Sequence, residues 1–167
     1  MTRAVLVLNA GSSSIKFAVY EASDLAVLCS GQIDSIGASP QFRVKGSRAA
    51  PLAEGKPLPH DGTHEASTAW LLDLLRTRLP DVSIAAAGHR VVHGGIRYHT
   101  SVPVDDAVLA ELSRLVSLAP LHEPHNLATI RAVAREWGEL PQVACFDTQF
   151  HRTQPRIAQL FGLPRQL

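Results

Sequence analysis

The sequence predicts an α/β fold in which one mixed sheet is flanked by helices, and three observations carry that prediction. Its 167 residues are 46% apolar and 19% charged, enough apolar material for a hydrophobic core in one globular domain. Residues 4–29 hold three short apolar runs joined by turn formers, the pattern of an antiparallel meander. The apolar period then becomes helical, and the order of elements reads three strands, helix, strand, two helices, strand. Strict alternation would give a wholly parallel sheet, whereas this order gives a mixed one.

Each element has a local reason. Ala4-Val5-Leu6-Val7-Leu8 is a continuous apolar run that fits a strand buried on both faces. It ends at Asn9-Ala10-Gly11-Ser12-Ser13-Ser14, a cluster of turn formers. Ile15, Phe17 and Val19 alternate with Lys16 in a second strand, and Leu25 to Cys29 form a third. Residues 34–62 are rich in Gly, Pro, Ser and charge (Gly37, Pro40, Gly46, Pro51, Gly55, Pro57, Pro59, Gly62) and read as loop, with a short strand around Phe42 to Val44.

Trp70, Leu71, Leu74 and Leu75 then make a helical stripe, with Asp61 or Thr63 as caps, Glu65 in the first turn and Pro80 as the stop. Ile84 to Ala87 is a short strand. A second helix over Asp105 to Leu118 carries Val108, Leu109, Leu112, Leu115 and Val116 inward and ends at Pro120. A third, from about Asn126 to Trp137, carries Leu127, Ile130, Val133, Ala134 and Trp137 inward and ends at Gly138. Gln142 to Phe146 is the last strand. There is no internal repeat and no low-complexity segment.

Sixteen basic and fifteen acidic residues leave a formal charge of +1 with no run of one sign. That argues against a nucleic-acid arm or a polybasic membrane patch. No apolar stretch approaches the ~20 residues of a spanning helix, and Met1-Thr2-Arg3 enters a strand without a signal-peptide pattern. Cys29 and Cys145 both sit in apolar strand-like runs, so they read as buried reduced thiols and the expected location is cytoplasmic.

The polar residues of interest gather where predicted strands end: Asn9 to Lys16, His89 to Gly95, Leu121 to Asn126 and Asp147 to His151. In open α/β sheets, ligands bind at the carboxyl edge. The Asn9–Lys16 turn offers small residues whose N–H groups and hydroxyls, notably Ser12 and Ser14, can face an anion, with Lys16 adding positive charge. It is not a P-loop, because Lys16 lies in a second strand rather than opening a helix. Alone it would be an ordinary hairpin turn. Arg90 can grip a carboxylate or phosphate through parallel hydrogen bonds. His89 and His93 are four apart, but their glycine flanks disfavour a helix and a third metal ligand is missing. His122-Glu123-Pro124-His125 has one residue too few for the zinc-protease motif, and Pro124 disfavours its helix. His122 can instead donate to a developing negative charge. Asp147, at the end of an apolar strand, suits a metal ligand or an orienting group, or merely a turn or helix cap.

These segments together resemble the amino-terminal part of the acetokinase family. Val5 to Phe17 is similar to the family's opening signature and Gly88 to Gly95 to its second. Ala119 to Asn126 and Cys145 to His151 match two further blocks. The resemblance runs in order through essentially the whole chain, with residues 34–62 the least diagnostic part.

It implies the fold shared by sugar kinases, actin and the large heat-shock chaperones, built on a ribonuclease-H-like core. Residues 1–167 would be the amino-terminal lobe of two. The carboxy-terminal adenosine-binding lobe, with a glycine-rich region, a second arginine, another histidine and a late glutamate, lies beyond these residues in relatives. The implied reaction is ATP + acetate ⇌ ADP + acetyl phosphate, with Mg²⁺ or Mn²⁺. By the same resemblance Asn9 helps hold the metal, and Ser12, Ser14 and Lys16 lie along the phosphates. Arg90 binds the acetate carboxylate, Val92 and Leu121 wall the methyl pocket, His122 lies near the phosphoryl group, and Asp147 is the acidic residue at the reaction centre.

Acetate is ionised at neutral pH, so the nucleophile needs no general base. Positioning and charge neutralisation should dominate, which makes Asp147 an orienter of metal or arginine rather than a base. The expected partners are acetate and ATP, with no nucleic acid or membrane. The implied homodimer forms mainly through the other lobe, so these residues alone should be monomeric or only weakly associated, and inactive. A propionate or butyrate kinase, or a non-catalytic phosphate-binding module, is the alternative reading.

Overall fold

The computed structural model describes residues 1–53, 58, 62–160, 162 and 163, the side chains of Arg156 and Gln159 excepted. Asp61, Gly55, Pro57, Pro59 and the segment Pro164–Leu167 lie outside the described residues. Seven strands form one mixed sheet: β1 (Thr2–Ala10), β2 (Ile15–Glu21), β3 (Val27–Asp34), β4 (Gln41–Lys45), β5 (Val82–Val91), β6 (Val102–Pro103) and β7 (Gln142–Phe146), in the order β4-β3-β2-β1-β5-β7-β6. β1 to β4 are an antiparallel meander. β5 lies parallel to both β1 and β7. The sequence expectation of a mixed sheet therefore holds.

Alternation decides what each face does. Ala4, Leu6, Leu8 and Ala10 of β1 are buried together with Phe17, Val19 and Cys29. Against them pack Leu52 of α1 (Ala50–Ala53), Leu71, Leu72, Leu74 and Leu75 of α2 (His64–Arg78) and Val133 of α4 (Glu123–Glu136). A second cluster joins Val91 and Phe146 to Val108 and Leu112 of α3 (Asp106–Arg114) and to Leu127 and Ile130 of α4. A buried Leu or Ile of this kind contributes roughly 1.5–3 kcal/mol, so the two clusters fix the helices against the sheet. The residues that alternate with them, Val7, Asn9, Lys16, Arg43, Arg90 and Cys145, are half-buried or exposed.

Helix termini follow their caps. Thr63 Oγ1 accepts from the Ala66 amide at 3.1 Å and Asp105 Oδ1 from the Val108 amide at 2.7 Å. Several boundaries differ from expectation. The third strand starts at Val27, because Leu25 (φ 60) turns left-handed where Asp24 Oδ1 accepts from the Ala26 amide. β5 runs on through Arg90, because β1 and β7 pair with it on both sides and supply the ladder that its glycine-flanked end lacks locally. The second helix tightens to a 3₁₀ turn at Leu115–Leu118. The third begins at Glu123, with Pro124 in its first turn, where a missing N–H costs nothing. β6 was not expected: Val102–Pro103 pairs with β7 although only two residues long.

Two burial expectations are corrected. Ala134 is exposed, one position off the inward stripe of α4. Cys29 is buried but Cys145 is exposed, because it falls on the outer parity of β7; both thiols are free. No described helix is long and apolar enough to cross a membrane.

Candidate active site

Parallel pairing brings three of the singled-out residues to one level. Asn9 of β1 is in register with Arg90 of β5, and Arg90 with Cys145 of β7, two residues before Asp147. Asp147 opens α5 (Asp147–Phe150), the short turn of helix that follows β7. Arg90 then engages both neighbours. Its Nε donates to Asp147 Oδ1 at 2.8 Å, its Nη2 to Asp147 Oδ2, and its Nη1 to Asn9 Oδ1 at 3.2 Å. A fork of this kind fixes a guanidinium in plane and direction. Of five N–H groups three are engaged, leaving two for an incoming anion. The arginine side chain is half exposed, so those donors are reachable from solvent.

The Gly11–Ser14 turn is held from below. Asn126 Nδ2 donates to the Ala10 carbonyl at 2.7 Å, and His64 Nε2–H to the Gly11 carbonyl at 2.6 Å. Gly11 N–H closes on the Ser14 carbonyl at 2.8 Å. Ser12 and Ser13 are exposed and Ser14 is half-buried. Burial and the neighbouring His125 ring, stacked 4.2 Å away, lower the His64 pKa, burial more strongly; the bond to Gly11 only partly offsets them. A neutral imidazole still makes this bond with its one N–H, provided that N–H is on Nε2.

Asn126 also works in the other direction. It is 3% exposed, and its Oδ1 accepts from the Val92 amide at 3.1 Å. One side chain thus ties the turn after β1 to the segment after β5. That segment packs closely: Gly94 N–H donates to Thr148 Oγ1 at 3.1 Å, and a Cβ on Gly94 would meet the Phe146 ring at 2.7 Å. Only glycine permits this approach. Beneath it lies Glu123, fully buried, with neither carboxylate oxygen hydrogen-bonded. Burial pushes its pKa up to about 7; the His93 amide offsets this only in part and makes no bond of ordinary geometry. His89, also buried, bonds Gln142 Oε1 at 2.8 Å through Nε2, and burial takes its pKa down to about 4 despite that bond.

The structure therefore joins Asn9, Arg90 and Asp147 directly. Lys16 is beside Asn9 in register, and Val92 is half-buried next to the cluster. The side chains of Ser12, Ser14, Lys16, Leu121 and His122 make no hydrogen bond or ion pair with the side chains of the three. Leu121 is 71% exposed, and His122 caps α4 without a side-chain bond. No group of three His, Cys, Asp or Glu that could hold a metal ion occurs among the described residues, and His125 of the HEPH segment stacks on His64. His64 was missed from the sequence, where nothing marks a histidine 53 residues from its partner. Asn126 left a trace: a small polar residue on the inward stripe of an apolar helix.

The donor set bears on a metal. Asn9 Oδ1 and Asp147 are hard oxygen donors, but Arg90 already engages both. They fit a hard divalent ion that keeps several of its own waters rather than one held by a protein cage.

Comparisons with known proteins agree in direction. The model of the acetokinase family matches residues 4–167. An acetate kinase of Rhodopseudomonas palustris is 44% identical over the whole chain and 43% of its own length. One of Nitrobacter hamburgensis is 44% identical, over 97% of this chain and 41% of its length. Among solved structures, a propionate kinase from Francisella tularensis superposes with a TM-score of 0.78 at 34% identity, covering 99% of this chain and 42% of its own. Porphyromonas gingivalis acetate kinase gives 0.74 at 29% identity, covering 98% of this chain and 42% of its own. The chain spans less than half the length of these relatives.

Proposed function

The chain belongs to the acetokinase family, and from that premise we propose that it supplies the amino-terminal lobe of an acetate kinase, carrying the acyl-binding loop and part of the phosphate grip. The observation behind this reading is the Asn9–Arg90–Asp147 cluster, in which a fixed guanidinium keeps two free donors at the carboxyl edge of three parallel strands. Asp147, doubly engaged by Arg90, acts as the orienter of that guanidinium and not as a base. Acetate, already anionic, docks on the two free N–H groups with Val92 and Leu121 toward its methyl. Ser12, Ser14 and Lys16 face the ATP phosphates from the turn that Asn126 and His64 hold, and His122 donates to the phosphoryl oxygens. Asn9 would help hold Mg²⁺, which when bound would supply neutralisation of phosphate charge. These residues thus bring two anions together and offset their repulsion, the main demand of phosphoryl transfer to a carboxylate. The free thiols fit a reducing, cytoplasmic setting.

The test is the hydroxamate assay for acetyl phosphate. With ATP, magnesium and acetate, residues 1–167 alone should give no product. Joined to the remaining part of the Rhodopseudomonas palustris relative, they should give acetate-dependent product, and Arg90→Ala in that hybrid should raise the acetate KM and lower kcat. A folded, ATP-binding hybrid without activity, or an Arg90→Ala hybrid with unchanged parameters, would refute the proposal. Propionate and butyrate in the same assay rank the acyl chains.

A further inference from the structure

The register of the sheet lines up one transverse row across five neighbouring strands: Arg43 on β4, Gln32 on β3, Lys16 on β2, Asn9 on β1 and Arg90 on β5. Directly paired residues point to the same face, so this row alternates cation and amide on the outer face. Asn9 and Arg90 belong to the site above. The other half, beyond Asn9, opens on a cavity of about 430 Å³ lined by Lys16, Ser30, Gln32, Arg43 and Lys45 and by the residues between them. Lys45 pairs with Ser30 and so sits in the next row on the same face. Three cations thus surround one hollow. Asp34 stands beside them: it accepts from Gln32 Nε2 at 2.7 Å and lies 3.9 Å from Arg43 Nη1. The side-chain ammonium groups of Lys16 and Lys45 have no ion-pair or hydrogen-bond partner among the described residues. One carboxylate cannot balance three cations, so the hollow is left with net positive charge and unused donors.

We propose that this hollow is an accessory anion site that binds a small phosphate-bearing ligand carrying more than one charged group. Strands about 4.8 Å apart place the Arg43 and Lys16 backbones about 10 Å from one another, a span for two anionic groups rather than one. Phosphate suits it better than carboxylate. Its tetrahedral oxygens can be shared among three cations that do not lie in one plane, whereas a carboxylate presents two oxygens in a single plane. The site stands on the register and the cavity and does not depend on phosphoryl transfer. Where the kinase reading also holds, Lys16 is common to both sites, so the accessory ligand and nucleotide phosphates compete.

The experiment is a titration of the 167-residue chain with inorganic triphosphate, followed by amide chemical shifts and by calorimetry at two salt concentrations, with citrate as the carboxylate arm. Triphosphate should bind saturably, shift the amides of residues 30–32 and 43–45, and weaken as salt rises. The double variant R43Q/K45Q changes two exposed side chains, so it should unfold at the wild-type temperature and bind triphosphate about tenfold or more weakly. Arg114→Gln, an exposed arginine on α3 outside the row, should leave that affinity unchanged. Absence of saturable binding, undiminished binding by R43Q/K45Q, an equal loss through Arg114→Gln, or citrate binding as tightly as triphosphate would each overturn the assignment.

Discussion

Replacing Glu123 by glutamine should remove a pH dependence that burial builds into the stability of this chain. The carboxyl is closed to solvent and unpartnered, and its pKa rises from 4.5 to about 7. In the unfolded chain it ionises near the lower value. Between the two, the folded state keeps a proton that the unfolded state has released, so stability falls as pH rises and levels off above 7. At about 1.4 kcal/mol per unit of pKa difference, the full loss is on the order of 3 kcal/mol, an upper limit. His89 has the opposite sign. Its pKa is taken from 6.5 to about 4, so below 6.5 the unfolded chain binds a proton that the folded one refuses, and stability falls with acid. The two slopes overlap between 4.5 and 6.5 and largely cancel there, which hides both in the wild-type profile. The difference between Glu123→Gln and wild type isolates the carboxyl. Urea midpoints from below pH 4.5 to above pH 7 should show the variant gaining on wild type across that window, equivalent to roughly 2–4 °C in Tm per kcal/mol for a domain of this size. A difference that stays constant across the window would show that Glu123 keeps an ordinary pKa in the fold, and the argument from burial would fail.

Three further expectations test the site. Asn126→Ala leaves the Val92 amide and the Ala10 carbonyl without their partner, and should cost about 2–5 kcal/mol in chemical denaturation; a loss under ~0.5 kcal/mol would mean the two loops are held by something else. Arg90→Ala breaks a half-exposed ion pair, so stability should change by no more than about 1 kcal/mol. Acetate-induced amide shifts at residues 90–92 and 147 should nevertheless disappear, and their persistence would place acetate elsewhere. Leu121→Ala should be neutral for folding within ~0.5 kcal/mol, since the side chain is largely exposed, yet should raise the acetate KM of the hybrid enzyme; an unchanged KM would remove Leu121 from the methyl pocket.

Much of the architecture was legible because it is local. Alternation in residues 4–19, the leucine stripe over 70–75 and the cap at Thr63 each act within a few residues, and the observed elements follow them. Misjudged features depend on neighbours. Arg90 belongs to a strand because β1 and β7 flank it, and Cys145 is exposed because the pairing of β7 fixes which face it meets. For His89, which its glycine flanks and the want of a third ligand already disfavour as a metal site, only the fold supplies the partner, Gln142, against which it is buried.

By itself the sequence determined the class of fold and marked four polar segments where strands end, with the side-chain chemistry of each: a hydroxyl-rich turn, a guanidinium, a histidine and a carboxylate. It could not determine how they meet. That Asp147 accepts two hydrogen bonds from Arg90, that Asn126 ties two loops, that His64 grips the turn, and that Arg43, Lys16 and Arg90 share one row all follow from strand register and helix docking. Those are set by the joint packing of the two hydrophobic clusters, a collective property that no short window of residues contains.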